Sequence, residues 1–240
     1  MDHTNNSCCC GEAEHFSGCL ICGASITYRA ESSIQTCSIC HKEQLTNAVC
    51  ENSHFICDAC HSYGTYAPVI AALRDSTEKD ALLLLEKIMD LPSVHMHGPE
   101  HHAIVPCVLL TAFRNNGEHM NYDAALSEIC KRAKQVPGGT CGYWGAAAGA
   151  GIFMSVMTGS SPLHKDAWPF PQKLVSIILS RLADVGGPRC CKRTSRIAIE
   201  EAVHFYSQFC SVNIPLSSIT CKYCEDNREC IQEDCPYYPE

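Results

Sequence analysis

Through the middle and later part of the chain, apolar residues recur at the three- and four-residue spacing of helices that bury one face. Read with capping and breaking residues, this spacing predicts seven helices: Tyr66–Arg74, Thr77–Asp90 behind Ser76 as cap, His102–Arg114, Tyr122–Gln135 behind Asn121, Tyr143–Met157, Pro171–Asp184 and Ser195–Phe209 behind Thr194. In the last of these, Ile197, Ile199, Ala202, Val203, Tyr206 and Phe209 keep close to one face. Strand-like alternation is scarce, so residues 62–220 read as an all-α domain. The flanks read differently. Residues 1–18, with Cys8, Cys9 and Cys10, resemble a solvated tail; residues 19–61 have too few large apolar groups for a core; residues 221–240 form a short cysteine-rich segment. The expected fold is therefore mainly α: a helical domain with an N-terminal zinc-ribbon or cross-brace-like metal module and a C-terminal four-cysteine loop.

Composition sharpens this division. Twenty cysteines suit a disulfide scaffold only in a short exported chain, and the opening residues show neither a basic nor an apolar leader pattern. The thiols then read as metal ligands or redox groups in a reducing cytoplasm. Charge is uneven: residues 1–61 hold two basic and seven acidic side chains, and residues 221–240 two and six, whereas Arg189, Lys192, Arg193 and Arg196 cluster between. No basic stripe tracks phosphates, which disfavours nucleic acid. The uncharged stretch from Gly138 to Leu163 is too rich in glycine and too poor in leucine and isoleucine for a membrane span.

Four ligand pairs lie in the N-terminal region: Cys19 with Cys22, Cys37 with Cys40, Cys50 with His54, and Cys57 with Cys60. A Cys-x-x-Cys turn lets two thiolates converge about 2.3 Å from one ion, and eight ligands make two closed tetrahedral zinc sites. The order from Cys37 to Cys60 resembles the middle of a RING-type cross-brace, in which alternate pairs share an ion. That pairing joins Cys19 and Cys22 to Cys50 and His54, and Cys37 and Cys40 to Cys57 and Cys60. Consecutive pairing is the rival, and His61 is an alternative to His54. The terminal pair of a RING is missing, so ubiquitin-ligase activity does not follow.

Three further thiols sit where helices begin. Cys141 follows a glycine turn and precedes a run of small residues; Cys190 and Cys191 stand beside Arg189, Lys192 and Arg193, whose positive charge would hold them as thiolates. Cys141, Cys190 and Cys191 are the candidate reactive cysteines, while Cys107, Cys130 and Cys210 read as core fillers. The loop from His95 to His102 concentrates four histidines about Glu100, and His97 and His101 are the candidates for proton transfer or metal binding there; plain surface is the alternative.

At the C-terminus, Cys221, Cys224, Cys230 and Cys235 supply four thiolates within fifteen residues, suited to a [4Fe–4S] cluster or a further zinc. The motifs His97-Gly98-Pro99-Glu100-His101-His102, Gly139 to Ile152, Gly186 to Arg193 and Cys235-Pro236-Tyr237-Tyr238-Pro239 resemble an uncharacterised cysteine-rich family, the domain of unknown function 5714. The resemblance covers about residues 62–240. It implies anaerobic bacteria and archaea, members sometimes attached to radical-SAM or methyltransferase modules, and no defined activity. The chain itself has no Cys-x3-Cys-x2-Cys radical-SAM signature. Two function classes follow: a cysteine-dependent redox or metalloenzyme subunit in such metabolism, with a radical-SAM or methyltransferase protein as partner, or a non-catalytic zinc-stabilised interaction module.

Overall fold

The almost unbroken apolar run from Ala103 to Phe113 leaves no polar face for solvent, so a helix made from it must be surrounded. In the computed structural model, which describes residues 18–19, 21–61, 66–136 and 142–240, it is. Twelve residues of the helix His101–Asn115, from His101 to Phe113 with His102 excepted, are buried. The expected tail with Cys8, Cys9 and Cys10, and Cys141, lie outside the described residues.

In chain order the helices are α1 (Asp58–His61), α2 (Tyr66–Asp75), α3 (Ala81–Met89), α4 (His101–Asn115), α5 (Tyr122–Ala133), α6 (Gly145–Thr158), α7 (Pro169–Val185) and α8 (Cys191–Tyr206). Helices α2, α3, α5, α6 and α8 all pack on α4. Two starts differ from expectation by four residues, and those of α4, α6 and α7 by one or two. Ser76 does not cap α3; its hydroxyl accepts from Glu78 N, while Asp80 Oδ1 accepts from Leu82 N and Leu83 N at 2.9 Å and begins the helix four residues later than expected. Nor does Thr194 cap α8, because Cys190 Sγ accepts from Arg193 N and starts the helix earlier.

The approach of α6 to α4 explains the small residues of α6. Pro106 lies inside α4 and has no N–H, so the His102 carbonyl loses its usual helical partner. Gly149 lies against that carbonyl: a Cβ there would stand 2.6 Å from His102 O and 2.9 Å from Pro106 Cδ.

Helix α8 buries charge as well as apolar surface. Arg196 makes a two-pronged pair with Glu86 of α3, Nε to Oε1 at 2.7 Å and Nη2 to Oε2 at 2.9 Å, and lies 5.7 Å from the Tyr223 ring centroid and 5.3 Å from that of Tyr237. Several contacts tie the C-terminal segment to the helices, among them Tyr223 Oη donating to Asp90 Oδ1 at 2.6 Å, Ser217 N donating to Asp80 Oδ2 at 2.7 Å and Tyr237 Oη donating to Glu200 Oε1 at 2.9 Å.

The N-terminal region departs from an all-helical chain through an antiparallel hairpin, β1 (Ile26–Thr36) and β2 (Glu43–Cys50), irregular between Tyr28 and Ser33. Its alternation is hidden because the strands bury almost nothing: both members of the cross-strand pair Ile34 and Leu45 are 66% exposed. No helix among the described residues is long and apolar enough to cross a membrane.

Candidate metal centres and the cleft between them

Tight turns place the N-terminal ligands. Gly23 N donates to Cys19 O at 2.7 Å with Gly23 in the left-handed region, and His41 N donates to Cys37 O at 2.9 Å with His41 at φ 56°. The two quartets have alternate pairing. Cys19, Cys22, Cys50 and His54 form one and Cys37, Cys40, Cys57 and Cys60 the other, with the ligand atoms of each all within 4.8 Å of one another. Cys22 Sγ stands 3.5 Å from Cys50 Sγ and 3.3 Å from His54 Nδ1; Cys40 Sγ stands 3.6 Å from Cys57 Sγ. Bonds of about 2.3 Å to a tetrahedral ion put two sulfurs about 3.8 Å apart, so each quartet can hold a metal ion.

Donors surround these sulfurs. Asn52 N donates to Cys50 Sγ, Asn52 Nδ2 to Cys22 Sγ and Cys57 N to Cys37 Sγ. The Asn52 amide, with Ala24 N, draws the Cys22 thiol down to about 6. Burial would raise Cys37, but the N–H groups of Cys40, Cys57 and Ile39 outweigh it and bring that thiol to about 6 as well. Both therefore favour the thiolate that a metal requires, whereas burial raises Cys19, Cys57 and Cys60, the last to about 12, so a bound cation would have to draw off their protons.

His61 takes no part in either quartet. It closes α1 and turns toward the helical domain, where His61, His95 and Glu100 form a third group with ligand atoms within 4.8 Å. Glu100 is fully buried. Its Oε1 accepts from His95 N at 3.0 Å and lies 2.9 Å from His95 Nδ1, while Oε2 lies 3.5 Å from His61 Nδ1. Burial opposes its ionisation, yet His61 and His95 hold its carboxyl well below the usual range.

Beside this group runs a cleft of about 880 Å³ between the N-terminal module and the helical domain. His61, His97, His101, His102, Trp144 and Cys191 are among its walls. His97 Nε2 lies 3.1 Å from Asn227 Oδ1 and 3.1 Å from Glu229 Oε2, which ties the histidine loop to the C-terminal segment. Burial, reinforced by Arg189, pushes His97 down to about 4, and burial pushes His101 to about 3. Both rings are neutral near neutral pH, a form that accepts protons or binds metal but is not poised as a general acid.

Cys190 and Cys191 meet different surroundings from those expected. The neighbouring cations are engaged elsewhere: Lys192 Nζ donates to Met89 O at 3.0 Å, Arg193 Nη2 to Gly186 O and Pro188 O, and Arg189 to Glu229 and Tyr28. Burial raises Cys190 and takes Cys191 to about 12, so without a metal both remain thiols.

The four C-terminal cysteines are arranged unlike the N-terminal quartets. Cys221, Cys224, Cys230 and Cys235 surround a small enclosed cavity that Cys190 and Arg196 also line. Among the described residues, they are not one of the groups drawn within 4.8 Å. Cys190 thus faces this cavity and the next residue, Cys191, lines the cleft.

A family model matches residues 69–238. The chain belongs to a family of unknown function, DUF5714. No curated protein and no solved structure matches it. The DUF5714 region carries His95, Glu100, Cys190, Cys191 and all four C-terminal cysteines, whereas both N-terminal quartets and His61 precede it. Sequence reasoning singled out His97 and His101 and missed the grouping of His61, His95 and Glu100. One signal lay in Gly98: a Cβ there would stand 2.1 Å from Glu100 Oε2, so the glycine leaves room for the carboxylate to fold back. Nothing local signalled that Cys190 joins the C-terminal cysteines, since 31 positions separate it from Cys221.

Proposed function

We propose that this chain is a metal-dependent redox protein in which Cys221, Cys224, Cys230 and Cys235 hold a [4Fe–4S] cluster that exchanges electrons with a ligand in the cleft. The two N-terminal quartets hold structural zinc in a cross-brace module. One observation carries the reading: the cysteine-lined cavity and the cleft adjoin through consecutive residues, Cys190 and Cys191. Four thiols that share a cavity but are not drawn within 4.8 Å of one another suit the wider spacing of a multinuclear cluster better than a single tetrahedral ion. Buried Arg196 on the cavity wall would offset the negative charge of a thiolate-ligated cluster.

Anaerobic purification with measurement of iron, zinc and acid-labile sulfide, together with visible and electron paramagnetic resonance spectra before and after dithionite, tests this directly. About four iron, four sulfide and two zinc per chain, with a reducible chromophore, are expected. Three zinc without iron overturns the reading.

A second reading has its own observation. Ile34 and Leu45 form an exposed apolar pair on the hairpin, a feature suited to docking on another protein. On that reading the chain is a zinc-stabilised accessory module in the cytoplasm of an anaerobe, its partner a radical-SAM or methyltransferase protein. Full function after Cys190→Ser and after loss of any iron distinguishes it from the first.

A further inference from the structure

We propose that His61, His95 and Glu100 form a third metal centre, a two-histidine, one-carboxylate site for one divalent transition-metal ion, completed only when the N-terminal module docks on the DUF5714 domain. It is independent of the iron–sulfur assignment, since it shares no ligand with the C-terminal cysteines.

The spacing of the donors comes first. Metal–nitrogen and metal–oxygen bonds of about 2.0–2.2 Å place neighbouring ligand atoms about 3–3.5 Å apart. Here Glu100 lies 2.9 Å from His95 Nδ1 through one oxygen and 3.5 Å from His61 Nδ1 through the other. Two imidazoles and a carboxylate are a donor set for iron(II), manganese(II) or zinc, and three protein ligands leave coordination positions open. His61 lines the cleft, so the centre reaches the space where a ligand would sit.

The second observation is independent of spacing. Glu100 Oε2 and His61 Nδ1 are buried and face each other at 3.5 Å, yet neither makes a well-formed hydrogen bond. A buried polar atom left without a good hydrogen bond is costly, a carboxylate oxygen above all. One cation would satisfy both atoms. Gly98 adds a third argument, because any side chain there would occupy the place into which the Glu100 carboxylate folds.

The rival is a metal-free network in which the His95 and His61 rings together neutralise Glu100. It explains the contacts at 2.9 and 3.5 Å but leaves Glu100 Oε2 and His61 Nδ1 without a well-formed hydrogen bond.

Manganese(II) discriminates, because it prefers nitrogen and oxygen donors and competes poorly for thiolate quartets. Full-length protein is dialysed briefly against EDTA, its retained zinc is measured, and manganese(II) is titrated with electron paramagnetic resonance detection of the free ion. The wild type is expected to bind one manganese(II) per chain, with at least tenfold weaker binding in both His61→Ala and His95→Ala and unchanged zinc. Cys224→Ser should keep the manganese site even where it loses iron, which separates this proposal from the cluster assignment. No manganese bound by the wild type, or unchanged affinity in either variant, which would mean an adventitious ion only, overturns it. Zinc content and helical circular dichroism identify a variant that has unfolded, and the other variant then decides.

Discussion

The N-terminal module and the helical domain solve the same stability problem with different materials. In the helical domain, α4 is enclosed by five other helices, and residues such as Leu85, Leu109, Phe113 and Phe153 are wholly removed from water. At about 1.5–3 kcal/mol for each large apolar side chain buried, such a core offsets the entropy of ordering the chain. In the N-terminal module the separate buried cluster is Cys37, Phe55 and Cys57, two of them ligands of one quartet. The hairpin beside it leaves Tyr28, Ile34 and Leu45 in solvent. The difference teaches that the first region gathers its buried groups by cysteine spacing and the second by apolar periodicity.

Removing metal is the strongest way to break that comparison. Structural zinc contributes about 10–16 kcal/mol of apparent binding energy to small domains that fold around it. On the proposed zinc assignment, Cys37→Ser, at a fully buried position of its quartet, is expected to abolish metal binding there and to open residues 18–61 to protease, while the helical circular dichroism barely falls. A zinc-free variant whose N-terminal region still resists protease would show that apolar contacts suffice there. The next largest effect lies in the other region. Glu86→Gln removes the charge opposite Arg196, a guanidinium with no solvent exposure, and leaving a buried charge unpaired costs about 3–5 kcal/mol. Chemical denaturation of the helical transition measures it, and a loss under 1 kcal/mol would mean that Tyr223, Tyr237 and the C-terminal cysteines hold Arg196 without the carboxylate.

A smaller prediction tests the packing within the core itself. Gly149→Ala should gain up to about 1 kcal/mol of helix propensity, yet its Cβ would meet the backbone oxygen of His102 at 2.6 Å, and overpacking costs about 1–3 kcal/mol. A carbonyl cannot rotate away as a side-chain tip can, so a net loss of about 1–2 kcal/mol in thermal or denaturant unfolding is expected. The seven larger helices were legible because their apolar residues recur at helical spacing or, in α4, run almost unbroken. The hairpin was not, since strands with two exposed faces carry no alternation. The N-terminal ligands were legible because each pair is local in sequence, and the turn itself writes the spacing. The group of His61, His95 and Glu100 was not: its members come from two regions, and only the docking of the module brings the first to the other two. The positive neighbours of Cys190 and Cys191 were visible, but their aim was not: Lys192 and Arg193 of α8 reach backbone carbonyls and Arg189, just before the helix, reaches the Glu229 carboxylate instead of the thiols.

The smallest expected effect is the most informative about what the hairpin is for. Ile34 and Leu45 face each other across the strands, and both remain two-thirds exposed. If the module is held by metal, Ile34→Thr exchanges one β-branched residue for another at a solvated position, and stability should change by no more than about 0.5 kcal/mol. Zinc content should not change, because Ile34 is three residues from Cys37 and contributes no ligand. Zinc analysis and a denaturation curve followed by an N-terminal probe check both points. A larger loss would mean that the pair is covered, in solution, by something that buries it, and the same substitution would then weaken that contact. An unchanged curve would leave the hairpin as an apolar surface that the fold does not use, set beside a cleft whose walls come from both regions.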